Sequence, residues 1–264
     1  MISSFIGLYG DEHHEHFDEF GYIRLGKLVS PNELRDLCDR VDDLMMGHVT
    51  YDDMKFQLDG NSPGYSKLAP RSAAPTEKSL NYRRIDGLYN DPDFLVYSQH
   101  PVFRRITRRY IGEHVSAFRA MIMNKPAGLG TELPWHQDIG EGWGLDRNPT
   151  VTIWTALDPM TVDNGAMQIV PGSHKLGILN KGHYTSEADI EAHASASDVV
   201  DLTAEAGEAI LIHNWMLHRS GVNDTTGPRR AYSIAYMDAD TVAVESGEPF
   251  PVIFGENALR PAVS

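Results

Sequence analysis

Positive charge is scarce in this chain: 23 Lys and Arg stand against 37 Asp and Glu, a formal net charge of −14. A surface for nucleic acid or for an anionic membrane needs clustered Lys and Arg, so neither partner is expected. Cysteine is scarcer still. Cys38 stands alone, which excludes an intrachain disulfide and a thiolate metal cluster. Its place in a helical pattern reads as a structural thiol rather than a nucleophile. No apolar run is long enough for a membrane span, and residues 1–4 lead into acidic residues instead of a basic leader. These absences predict a cytoplasmic protein that acts on a small molecule, with the oligomeric state left open. A hydrophobic content of 41% over 264 residues is ordinary for a globular chain and suffices for one substantial core, so a single domain over 1–264 is expected.

The pattern along the chain changes near residue 112. Before it, helices dominate the reading. Asp11 can cap a helix ending at Gly21, and its run His13-His14-Glu15-His16 reads as a solvated face because adjacent residues are not matched in ligand spacing. Tyr22-Ile23-Arg24-Leu25 alternates like a short strand. Ser30-Pro31-Asn32-Glu33 is a capping box with proline at the first helical position, and Leu34, Leu37, Val41 and Leu44 continue at helical spacing. Asp91-Pro92 and His100-Pro101 start two further helices, the second carrying Arg104, Arg105, Arg108 and Arg109 as a solvated, ion-paired face. Between the helix that holds Leu44 and the one that starts at Asp91, residues 47–80 lose all periodicity and collect Gly, Pro, Ser and Asp, as an active-site lid does. After Gly112, segments 115–124, 150–157, 166–170, 199–202, 209–213 and 231–237 read as strands. The polar stretch 181–198 is a second candidate lid. Helices at about 11–111 followed by short strands at about 112–240 predict a mainly β fold with flanking α: a double-stranded β-helix, or cupin-like jelly roll, buttressed by N-terminal helices.

On that frame the residues with chemistry are Trp135-His136-Gln137-Asp138 and, about eighty residues later, His218. His136 and Asp138 are two apart, so on an extended backbone they share a face. With a distant imidazole they can cap one side of a metal ion as a 2-His-1-carboxylate triad, the arrangement of non-heme Fe(II) oxygenases. His213 is the alternative to His218. Arg229 follows His218 by eleven residues and is suited to grip a carboxylate through a permanently charged fork. Arg230 competes with it, and adjacent strand residues face opposite ways, so only one of them can serve.

The chain resembles the phytanoyl-CoA dioxygenase family of Fe(II)/2-oxoglutarate-dependent oxygenases over about residues 84–237. The markers are Met121-Ile122-Met123-Asn124-Lys125-Pro126, Trp135-His136-Gln137-Asp138, Trp154-Thr155-Ala156-Leu157, Asn164-Gly165 with Pro171-Gly172-Ser173-His174, and His218-Arg219-Ser220-Gly221. The resemblance implies His136, Asp138 and His218 as Fe(II) ligands, and Arg229 as partner of the distal carboxylate of 2-oxoglutarate, with Ser220 beside it. It implies Trp154 and Met121 as walls for that cosubstrate, Gln137 as a contact from between the ligands, and Arg84 as a further basic contact. Dioxygen would be the second cosubstrate. Because Asp138 retains the carboxylate that related halogenases replace by a small residue, the resemblance implies hydroxylation of an aliphatic C–H, with release of succinate and CO2, rather than halogenation, and leaves desaturation, epoxidation or ring formation open.

The substrate is less legible. An acyl-CoA, as in the family's namesake reaction, would bring several phosphate charges to an acidic protein, and residues 127–148 hold one Arg and no Lys. A small, uncharged or modestly polar metabolite, such as a secondary-metabolism intermediate, is the expectation. Two other readings stand beside it: a non-catalytic metal-binding jelly roll, and a cupin-like dioxygenase that needs no 2-oxoglutarate. A carboxylate clamp such as Arg229 has no purpose in a non-catalytic protein.

Overall fold

The computed structural model describes residues 9–60, 68–140, 142–180 and 182–261. The start of the chain at 1–4, the middle of the first expected lid at 61–67 and the first residue of the second at 181 lie outside the described residues.

The N-terminal helices form where the local chemistry requires them. Helix α1 (Asp11–Phe20) ends because Gly21 turns left-handed at φ +75° and its N–H reaches Phe17 O at 2.7 Å. Strand β1 (Tyr22–Lys27) follows at once. Helix α2 (Pro31–Met45) starts on the reciprocal box, Glu33 N–H donating to Ser30 Oγ and Ser30 N–H to Glu33 Oε2. Asp91 caps α3 (Pro92–Ser98) and His100 caps α4 (Pro101–Tyr110). Helix α2 buries Leu37, Val41, Leu44 and Met45, each contributing about 1.5–3 kcal/mol of transfer free energy.

Two sheets make the body. The larger runs β1-β9-β6-β11-β4-β3-β2, with β12 (Val252–Phe254) also pairing β4 (Val115–Lys125). Its other strands are β2 (Lys55–Leu58), β3 (Tyr82–Asp86), β6 (Val151–Ala156), β9 (Glu208–His213) and β11 (Arg229–Asp238). The smaller runs β5-β10-β7-β8, from β5 (Leu133–His136), β7 (Met167–Ile169), β8 (Val200–Leu202) and β10 (His218–Ser220). Two facing antiparallel sheets give the expected jelly roll.

Alternation along β11 sorts the two faces of the larger sheet. Tyr232, Ile234 and Tyr236 join the cluster that holds Val41, Phe94, Phe103 and Ile106 from the helices. Tyr232 Oη lies 2.6 Å from Ser98 Oγ, and Tyr236 Oη–H donates to Ser98 O at 2.6 Å, which ties α3 to the sheet. Ala231, Ser233 and Ala235 turn the other way, toward the space between the sheets. The helices therefore cover the outer face and leave the inner one for a site.

Three expectations change. Residues 47–80 are not structureless, because β2 pairs with β3 and Phe56 bridges Ser72. The stretch 181–198 contains a short helix, α5 (Glu187–His193), capped by Ser186. Beyond the expected β1, the N-terminal part contributes two further strands, β2 and β3, at the other end of the sheet. Cys38 is a half-buried thiol that donates to Leu157 O, and burial pushes it up to about 11, as suits a structural role. Arg104 and Arg108 both pair with Glu113 on the outer side of α4.

Candidate metal centre

Strand pairing builds the centre. His218 on β10 is the direct register partner of His136 on β5, which brings the ring centroids to 4.1 Å. Asp138 lies two residues past the end of β5, its N–H held by Asn214 O at 2.8 Å. The carboxylate sits 3.9 Å from His136 Nε2 and 3.7 Å from His218 Nε2. Among the described residues this is the one group of three or more His, Cys, Asp and Glu placed to hold a metal ion.

The imidazoles are oriented from behind. His136 Nδ1 faces Pro134 O at 2.7 Å and His218 Nδ1 faces Met216 O at 3.0 Å. A carbonyl accepts only, so each Nδ1 carries the proton and each Nε2 turns a lone pair toward the shared point. Burial, reinforced by neighbouring His218, pushes the His136 imidazole down and keeps it neutral. Burial pushes the Asp138 carboxyl up, but His218, His136, Arg119 and Arg84 together outweigh it and leave the group below its ordinary value. Two neutral nitrogen donors and one carboxylate fit a divalent first-row metal.

Beside the triad lies a cavity lined by Arg229, Ser220, Trp154, Met121 and Lys125. Arg229 is buried; its Nη2 donates to Gly165 O at 2.8 Å while its Nε has no partner. Burial pushes this guanidinium down to about 10. A buried cation with an idle donor is costly unless an anion joins it. A dicarboxylate with one end at the triad and the other at Arg229 meets that demand. Arg230 is decided the other way: it forks onto Asp158 and reaches Asp42 Oδ1 at 2.7 Å, which ties β11 to α2.

Two expected cosubstrate contacts are placed elsewhere. Gln137 alternates away from its neighbours and is fully buried, its amide donating to Gly177 O and Trp215 O while its carbonyl accepts from Leu179 and Asn180 N–H. It positions the ligand loop instead of touching the cavity. Gln137→Leu strands these partners and is expected to cost about 3 kcal/mol in urea unfolding. A loss of under about 1 kcal/mol would show that Asn180 and Asn214 hold the loop without it. Arg84 lies opposite Met123 in the strand register, but its guanidinium forks onto Asp86 at 2.6–2.9 Å. Its neighbour Arg83 lines the cavity instead.

Sequence reasoning also missed Lys125, Thr131 and Asp59. Lys125 Nζ donates to Thr131 O at 2.7 Å, and Asp59 accepts from Thr131 N–H at 2.9 Å, at the edge of the same cavity. Lys125 could have been found, since it continues the period-2 series Met121, Met123 on β4. Asp59 had no such signal in an aperiodic stretch.

His213 is no ligand. Its Nδ1 accepts from Trp215 N–H at 3.1 Å, and its ring lies 4.9 Å from that of His174. Burial pushes it down to about 3. The unfolded chain takes up this proton near pH 6.5, so stability is full above that pH and falls as pH drops through 6.5 toward 3. His213→Gln is expected to flatten the fall in melting temperature between about pH 7 and pH 5. An unchanged slope assigns acid sensitivity to other groups.

A family model described as phytanoyl-CoA dioxygenase matches residues 17–231, well over half of the chain. The chain belongs to the phytanoyl-CoA dioxygenase family. Its enzyme class follows from membership together with the triad: it is a non-heme Fe(II)- and 2-oxoglutarate-dependent dioxygenase. Among relatives, peroxisomal phytanoyl-CoA dioxygenase of Mus musculus is 23% identical over 245 residues, covering 89% of this chain and 70% of its own. A probable alpha-ketoglutarate-dependent hypophosphite dioxygenase of Stutzerimonas stutzeri is 28% identical over 248 residues, covering 88% and 80%. The structure of EctD from S. alaskensis with 2-oxoglutarate and 5-hydroxyectoine superposes with a TM-score of 0.70 at 20% identity, over 99% of this chain and 87% of that one. The fold of the family is thus that of the jelly-roll oxygenases.

Proposed function

We propose that the protein hydroxylates an aliphatic C–H of a small metabolite, with His136, Asp138 and His218 as iron ligands and Arg229 as the anchor of 2-oxoglutarate. The observation that carries this reading is the buried Arg229 with its idle Nε, in one cavity with the triad. Iron with 2-oxoglutarate and dioxygen supplies the oxidising power, and 2-oxoglutarate leaves as succinate and CO2. The chain does the rest. Pro134 O and Met216 O fix the tautomers, Trp154 and Met121 keep the cavity apolar between its charged ends, and the sheets exclude water. Ser220, in the wall of the same cavity, offers a hydroxyl to that carboxylate.

An acyl-CoA is the weaker candidate. The only dense run of arginines, on α4, packs on the helical face of the larger sheet, away from the cavity. Among the described residues no helix is long and apolar enough to cross a membrane.

The test is optical and chemical. Anaerobic Fe(II) and 2-oxoglutarate together should give a weak visible charge-transfer band, and a metabolite screen should find succinate formed in step with loss of one small substrate. Folded protein that gives no band counts heavily against this reading.

A further inference from the structure

A second cavity meets the metal centre from another side, and it shares Asp138, Met121 and Ser233 with the first. The carboxylate ligand thus stands between a cosubstrate space, closed by Arg229, and a space not yet assigned. The wall of that second space holds a cation. Arg119 continues the inward series of Met121 and Met123 on β4, opposite Ala235 on β11. Its guanidinium lies 4.5 Å from the centre of the Phe118 ring and 4.2 Å from that of Trp143. His183 stacks with Trp143, with centroids 5.9 Å apart and planes at 21°.

Arg119 has aromatic company, and among the described residues no ion-pair partner. Asp86, a nearby carboxylate, is taken by the fork from Arg84 and by Arg71 at 3.8 Å. Asp138 belongs to the metal. Among the described residues no carboxylate lies within ion-pair distance of Arg119. Burial, and then the charge of Arg84, push the guanidinium down to about 10, the mark of an unbalanced cation. Aromatic faces orient such a group and hold it flat, but they leave its N–H edge free for an anion.

We infer that Arg119 binds an anionic group, a carboxylate or a phosphate, on the primary substrate, and so holds the reacting carbon beside Asp138. This rests on the iron and 2-oxoglutarate reading, and it reverses the expectation of an uncharged substrate. The acidic surface and the Arg119 cation are compatible, because one cation inside a low-dielectric pocket acts over a few ångströms and the net charge acts over the whole surface.

The test uses anaerobic protein loaded with Fe(II) and 2-oxoglutarate, whose charge-transfer band responds when a second ligand enters beside the metal. The probes are n-butyrate and n-butyl phosphate, with n-butyramide and n-butanol as neutral counterparts. The anions should shift the band saturably, the better of the two naming the group, and the neutral compounds should not. Arg119→Gln should weaken the response at least tenfold, and Arg119→Lys should lie between. In both variants the band should form at the wild-type concentration of 2-oxoglutarate, which shows an intact fold. The inference is overturned by equal shifts from neutral and charged probes, by no shift from any, or by unchanged affinity in Arg119→Gln. Loss of the band that excess 2-oxoglutarate restores would put the anion at Arg229 and overturn it too. Failure of wild-type protein to form the band counts against the iron and 2-oxoglutarate reading instead.

Discussion

Asp138→Asn is expected to lower Fe(II) affinity at least ~100-fold, about 2.8 kcal/mol, with little change in the melting temperature of the metal-free protein. The triad offers two neutral imidazoles and one carboxylate, so this side chain supplies all of its negative charge. An amide of the same shape keeps one oxygen donor and loses the charge that a divalent ion needs. The fold should tolerate the change. Among the described residues nothing donates a hydrogen bond to the Asp138 carboxylate, and the loop is held through its backbone by Asn214 and Asn180. An anaerobic Fe(II) titration followed by tryptophan fluorescence measures the effect, since Trp154 and Trp143 line the cavities that share Asp138. Wild-type affinity in Asp138→Asn would mean that the metal binds elsewhere.

Arg229→Ala should raise the apparent requirement for 2-oxoglutarate at least tenfold, from loss of a charged, paired contact of about 1.5–3 kcal/mol. The neighbouring Arg230→Ala makes the contrast. Arg230 holds Asp158 and Asp42, so its loss should lower the melting temperature and leave the 2-oxoglutarate requirement unchanged. Arg229→Lys should recover only part of the affinity, because an ammonium cannot reproduce the planar fork. Titrating 2-oxoglutarate against the charge-transfer band in all three variants separates binding from folding. If Arg229→Ala matches wild type while Arg230→Ala does not, the two roles are exchanged.

Much of the site was legible because its motifs are short and local. His136 and Asp138 declare themselves by a spacing of two on an extended backbone. Period-2 reasoning also said that only one of Arg229 and Arg230 could face inward. It could not say which, since a strand pattern has no absolute phase until a partner covers one face. Helix α2 supplied that partner, as Asp42 draws Arg230 outward and leaves Arg229 facing in. The same alternation, applied between the ligands, would have moved Gln137 out of the cavity. The resemblance to the family had placed it inside.

The sequence by itself determined the capped helices, the six strong strands and the candidate donors His136, Asp138 and His218, because caps, alternation and ligand spacing act over a few residues. Only the tertiary structure decided what depends on distant segments meeting. Pairing of β5 with β10 brought His136 against His218. The fork with Asp86 withdrew Arg84, while Arg119, with no such partner among the described residues, shares a cavity wall with Asp138. Charge balance in a pocket is a property of neighbours in space, and no local pattern along the chain encodes it.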